Sequence, residues 1–259
     1  MPPKPKAVRS ALPIPCRPER MKRCLLIAAW TCVCVATQAQ DLAPEYKLTT
    51  GVYALSGGGL PNSHGADLNL RRTSDVGNVW AAWYRSPEQD VSQPRLGWDS
   101  SYGVSSWRIQ PSVQMASSGF WGGSLGVETG DSWYVGAGFG RTNLHPYTNL
   151  NFDPNDAWMT SAGYRWSSVQ SLGFQIVRDN RQNPDQQHVH AVYRMGMPHG
   201  QRLTVDVLFK SGLVEDQFTR RTGLSVTYDW PQFFTRVAYD PIINFTPQTM
   251  WRVSVGTRF

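Results

Sequence analysis

Hydrophobic and polar positions alternate along most of the chain from Gln40 onward, and the clearest run is the last nine residues. Trp251, Val253, Val255, Thr257 and Phe259 fall on one side of an extended strand, with Arg252, Ser254, Gly256 and Arg258 on the other, because successive strand side chains point to opposite faces. Runs of the same character predict fourteen strands, at about 46–56, 65–73, 78–86, 95–102, 106–116, 119–128, 132–142, 156–166, 169–179, 186–196, 201–210, 218–229, 232–240 and 248–259. Twelve strands follow instead if the weak runs 65–73 and 95–102 belong to loops. No stretch keeps the 3.6-residue period of an amphipathic helix. Every second connection is brief, as at 74–77, 103–105, 129–131, 167–168, 198–200 and 230–231. Those between are mostly longer (57–64, 87–94, 143–155, 180–185, 211–217 and 241–247), and only Ser117-Ser118 breaks the alternation.

The apolar positions form one face of each strand and leave few residues over to build a soluble core. They read as a lipid-facing wall: Trp107, Ile109, Val113 and Met115; Trp133, Val135, Ala137 and Phe139; Leu172, Phe174 and Ile176; Leu203, Val205, Val207 and Phe209. Trp and Tyr gather near strand ends, as an interfacial belt requires. Trp158 and Trp166 are eight residues apart on one face, roughly 20 Å along the normal of a tilted strand, close to an apolar band of about 25 Å.

An alternating final strand that ends on Phe259 resembles that of Gram-negative outer-membrane β-barrel proteins, here a small porin-like barrel. The resemblance implies an all-β, antiparallel up-and-down transmembrane β-barrel in the bacterial outer membrane, surrounded by its lipid. It also implies that Trp251, Val253, Val255, Thr257 and Phe259 are the insertion signal read by the barrel-assembly machinery, with Thr257 in place of the usual apolar residue.

The beginning of the chain supports export. Met21-Lys22-Arg23, an apolar run from Cys24 to Ala36 and the small-residue site Thr37-Gln38-Ala39 read as a signal peptide over 21–39. Residues 1–20 are then a mis-assigned start or a disordered extension, and 40–259 a single barrel domain. All four cysteines (Cys16, Cys24, Cys32, Cys34) precede residue 40, which excludes disulfides and thiolate chemistry in the mature chain. Seven of the 25 Lys and Arg and one of the 19 Asp and Glu also lie there, leaving 18 of each sign. The formal charge of +6 therefore belongs to the targeting region, and a nucleic-acid partner loses its basic surface.

Asp67, Arg71, Asp99, His188, His190, Arg194, Arg202, Asp206, Arg221, Arg236 and Arg252 fall on inward faces. Charges of both signs at this density cannot pack as a dry core, and fourteen strands enclose more space than side chains alone fill. The expectation is a water-filled channel for passive diffusion of small polar or anionic solutes, with no cofactor. The alternatives are a lipid-modifying enzyme and a non-conducting structural or surface-binding barrel. Against the enzyme, the positions between the two histidines' strand-mates point Val189, Ala191, Tyr193 and Met195 outward, and no His-x-Ser motif occurs. His188 and His190 share one strand face, but no third ligand is indicated nearby, so no metal site is expected. Asp153, Asn155 and Asp156 in the longest loop are a weak Ca²⁺ candidate and better turn formers.

Gly122, Ser124, Gly126, Gly136, Gly138, Gly140, Ser161 and Gly163 leave the inner wall bare around the middle strands. The loop 143–155, with Pro146, Tyr147, Phe152 and Pro154 to anchor it, springs from that sector. It is expected to fold inward over the bare wall and narrow the pore against Arg194, Arg221, Arg236 and Arg252. Truncating Phe259 should abolish insertion while leaving secretion nearly intact; full recovery of heat-modifiable barrel from the truncated chain would show that the terminal strand is not the signal.

Overall fold

The computed structural model describes residues 45–151, 153–183 and 185–259. The expectations for residues 1–20, for the signal peptide 21–39 and for Phe152 fall outside the described residues. The strands are β1 (Tyr46–Ser56), β2 (Ser63–Ser74), β3 (Gly77–Ser86), β4 (Val91–Asp99, resuming over Tyr102–Val104), β5 (Trp107–Ala116), β6 (Phe120–Thr129) and β7 (Trp133–Thr142). They continue as β8 (Ala157–Arg165), β9 (Ser171–Asp179), β10 (Gln187–Gly196), β11 (Arg202–Val214), β12 (Gln217–Asp229), β13 (Phe233–Asp240) and β14 (Thr249–Arg258).

Each strand pairs antiparallel with its neighbours in sequence, and β1 pairs with β14 from Lys47↔Arg258 to Ser56↔Thr249. The result is a closed fourteen-strand barrel. Backbone hydrogen bonds between Tyr46 and Phe259, 2.9 and 3.0 Å, finish the seam, and their rings stack at 5.8 Å. Both ends of the described chain therefore lie at the end of the barrel that carries the shorter turns.

The outer wall is apolar. One row of valines crosses five consecutive strands in register, Val205↔Val226, Val226↔Val237, Val237↔Val253 and Val253↔Val52. Trp251, Val253, Val255, Thr257 and Phe259 are all exposed on this side, whereas Arg252, Ser254 and Gly256 are buried on the inner one. Trp158 and Trp166 are exposed too, against Phe139 at 4.6 Å and Tyr164 at 5.3 Å respectively. Other aromatics, among them Tyr53, Trp80, Tyr84 and Tyr134, are buried inside the ring.

The loop end is more compact than its sequence suggests. The stretch 211–217, expected as a loop, is mostly strand: β11 and β12 form one long hairpin that turns on Glu215 and Asp216 alone. Their φ values of 49° and 65° are the left-handed pair that a type I′ turn requires. Similarly, β4 begins at Val91 rather than 95. Pro94 argued against a strand there, because proline cannot donate to a ladder. It is tolerated because only β3 flanks the strand at that point; pairing with β5 starts at Arg95.

The apolar interior is a set of small clusters near the loop end. The largest holds Tyr53, Leu55, Tyr84, Leu150, Ile243 and Met250. Two of these, Leu150 and Ile243, come from loops.

The face assignment makes a stability test. Val226→Arg and Phe174→Arg, both near mid-strand on the outer wall, should each cost about 2–4 kcal/mol in lipid. Ser225→Arg, one residue along and facing the interior opposite Asp206, should cost much less. Equal losses in reversible urea titrations of vesicle-inserted protein would mean the faces are reversed.

Candidate functional site

The connection between β7 and β8 does not stand clear of the barrel but turns into it. Tyr147, Asn149, Leu150, Asp153, Asn155 and Asp156 are all buried. Tyr147 stacks on Phe120 at 4.1 Å, and burial raises its phenol pKa above the ordinary value. Gln93 of β4 clamps the loop from both sides, donating from Nε2 to the Thr148 carbonyl at 2.9 Å and accepting from the Thr148 amide at 2.7 Å. On the far wall Arg252 of β14 donates to the Leu150 carbonyl at 3.1 Å.

The loop therefore crosses the lumen, and this corrects one detail of the expectation. A Cβ added at Gly122, Gly126, Gly136, Gly138 or Gly163 would first meet Thr142, Gln110, Ser161, Met159 or Tyr134, each a wall residue. The glycines do not seat the loop. They keep the wall facing it low, and a cavity bounded by Gly126, Gly173, Tyr134, Asn151, Asp153 and Arg236 among others lies on that side.

A second loop, between β13 and β14, also packs inward. Ile242, Ile243 and Phe245 are buried, and Asn244 donates to the Asn149 carbonyl at 3.3 Å. Lys210 of β11 holds this loop from below: its ammonium lies 2.7 Å from Asp240 and 3.1 Å from the Ile242 carbonyl, with both charged side chains fully buried.

The histidine pair, His188 and His190 on β10, is buried, and it acquires partners that are remote in sequence. Asp153, at the inner end of the first loop, places Oδ1 2.8 Å from His188 Nδ1 and 3.0 Å from His190 Nε2. Asp206 of β11 takes the opposite side of His190, with both carboxylate oxygens 3.0 Å from Nδ1. The third group that the sequence did not indicate beside the pair is thus supplied by the loop. Burial alone would raise the Asp153 carboxyl, but attraction to His190 and the hydrogen bonds from both imidazoles outweigh it and hold the group well below the usual carboxylate range.

The other expected inward charges divide by location. Asp67 accepts from Tyr53 at 3.0 Å and faces Arg95 at 3.5 Å, and Arg71 pairs with Asp99 at 3.1 Å. Arg194, Arg236 and Arg252 border the cavity, Arg236 donating to the Thr227 hydroxyl at 3.0 Å. Arg202 and Arg221 are exposed. Arg202 pairs with Asp229 at 3.4 Å, whereas Arg221, on the protruding hairpin, donates to the Arg220 carbonyl and is not gathered with the rest. Sequence reading missed Gln93. Glu128, on the inner wall of β6, takes Arg108 at 2.7 Å and Arg165 at 2.6 Å.

No protein-family model matches this chain, and no curated protein does. Solved structures do. The crystal structure of Omp33, an outer-membrane protein of Acinetobacter baumannii, aligns with a TM-score of 0.55 at 10% identity over 85% of this chain and 100% of that one. The chain has the fold of a bacterial outer-membrane β-barrel. The NanC porin (TM-score 0.45, 7% identity, 82% of this chain and 100% of that chain) and a triple mutant of the Rh. blastica porin (0.42, 12%, 82% and 99%) are also similar.

The buried Lys210–Asp240 pair predicts an asymmetry in this barrel. Lys210→Met leaves a desolvated carboxylate without its cation and should destabilise by about 3–5 kcal/mol, while the double variant Lys210→Met/Asp240→Leu should recover most of the loss. A double variant as unstable as the single one, by urea titration, would mean that the pair does not act as a unit.

Proposed function

We propose that this outer-membrane barrel is a channel for passive diffusion of small polar solutes, with a mild preference for anions. The observation that carries the reading is the inward loop: it is fixed to β4 and β14 and leaves the space beside the glycine-rich wall unfilled. A non-conducting barrel gains nothing from a wall stripped of side chains opposite an ordered loop.

The charge along that space favours anions. Each bordering carboxylate has basic neighbours of its own: Glu128 has two guanidinium groups, Asp206 has His190, and Asp153 has both histidines. Three guanidinium groups, those of Arg194, Arg236 and Arg252, border the same space. Fixed cations in a narrow, partly desolvated passage raise the local concentration of anions. Surrounding lipid is the partner that the exposed valine row and tryptophans suit, and the outward row ending at Phe259 is the element we assign to the barrel-assembly machinery.

Purified protein in planar bilayers should show discrete openings, and its reversal potential in a salt gradient should lie on the anion side. Deleting residues 144–153 should raise the unit conductance and weaken that preference. Absence of openings across several voltages, or a deletion variant with unchanged current, would overturn the reading.

A further inference from the structure

We infer that Asp153, His188 and His190 form a transition-metal site, with Zn²⁺ the best-suited ion, that ties the inward loop to the barrel wall. Two imidazoles and one carboxylate are the donor set of open zinc sites, which keep a further position for water or solute. The three side chains are buried, and one ligand atom from each lies within 4.8 Å of the others. Around a tetrahedral ion with bonds near 2.1 Å, ligand atoms stand roughly 3.4 Å apart. The present separations of 2.8 and 3.0 Å from Asp153 to the two imidazoles therefore need to open only slightly.

One further feature fits a metal better than a simple salt bridge. Asp206 grips His190 Nδ1 with both oxygens, which turns Nε2 toward Asp153, as the outer carboxylate of a carboxylate–histidine–zinc arrangement does.

The nearby Lys210, whose ammonium lies 5.3 Å from the Phe245 ring that stacks on His188, is already matched by Asp240. Two of the three ligands, Asp153 and His190, border the cavity. Because the ligands come from β10 and from the loop, a bound ion fixes the loop as a cross-link would, and it adds to the Gln93 clamp at a different point of the segment.

The test uses untagged, detergent-refolded protein freed of metal by chelator. Titration with Co²⁺ should give visible ligand-field bands that saturate near one equivalent, and Zn²⁺ should displace them. Asp153→Ala and His190→Gln should remove the bands while keeping heat-modifiable migration. Asp206→Asn, which alters positioning only, should weaken binding by about 10–100-fold. A variant with His64, His145 and His199, all exposed, changed to Gln should bind as the parent does. Amide exchange over 145–151 should slow on adding Zn²⁺ to the parent and not to Asp153→Ala. Absence of bands in the parent, equal affinity in Asp153→Ala, or loss of binding in the triple surface variant would each overturn the site. Binding, not current, is measured, so the result is independent of whether the barrel conducts.

Discussion

In a hydrocarbon layer no water is present to satisfy backbone N–H and C=O groups, so an extended chain can cross only if every strand is flanked on both sides. Everything else in this protein depends on the seam that meets this requirement, the β1–β14 ladder and its terminal bonds between Tyr46 and Phe259. An antiparallel ring that closes first strand on last must have an even number of strands. Closure also fixes which side of each strand is wet. Once Val52, Val237 and Val253 face outward, Arg236 and Arg252 have no choice but to point in.

That inward crowd of charges sets a second problem, because fourteen strands hold the walls too far apart for side chains to meet across the middle. The loops supply the missing reach. The β7–β8 and β13–β14 connections spring from opposite sides of the ring and meet within it, Asn244 on Asn149 and Ile243 beside Leu150. Each brings backbone carbonyls to cations on the wall, Leu150 to Arg252 and Ile242 to Lys210. Desolvation, which would be ruinous for an isolated Lys210, is offset by Asp240 and that carbonyl together.

How much of this was legible follows from what a period-2 pattern encodes. The strands, the outer wall and its exposed tryptophans depend on local alternation, and they were readable from runs such as Trp133 to Phe139. The turn at Glu215-Asp216 was not, since it lacks the glycine that usually marks a type I′ turn. The inward course of the first loop was suggested by the bare glycines, with Arg252 among the residues it was expected to face, but the contact with Leu150, 102 residues away, was not. The same holds for Asp153 and the histidines. A ligand set completed by a loop from three strands away leaves no spacing in the sequence to count. Pro241-Ile242-Ile243-Asn244-Phe245 did carry a signal that went unused, because a solvated loop has no reason to be so apolar.

The β13–β14 loop also shows that the frame and its contents are separately held. Ile242, Asn244 and Phe245 have left-handed φ values of 47°, 48° and 54°, a conformation that costs non-glycine residues about 1–3 kcal/mol each. No barrel ladder imposes it; those residues lie outside the strands, between Asp240 and Thr249. What holds it is docking inside the lumen: Ile242 and Phe245 against Val214, Ile243 in the largest apolar cluster, and Lys210 on the Ile242 carbonyl. Such contacts can be exchanged for others without disturbing a single inter-strand hydrogen bond. A barrel whose ladder is fixed by lipid and whose interior is fixed by its own loops can therefore share a fold with Omp33 at 10% identity without having to share the contents of its lumen.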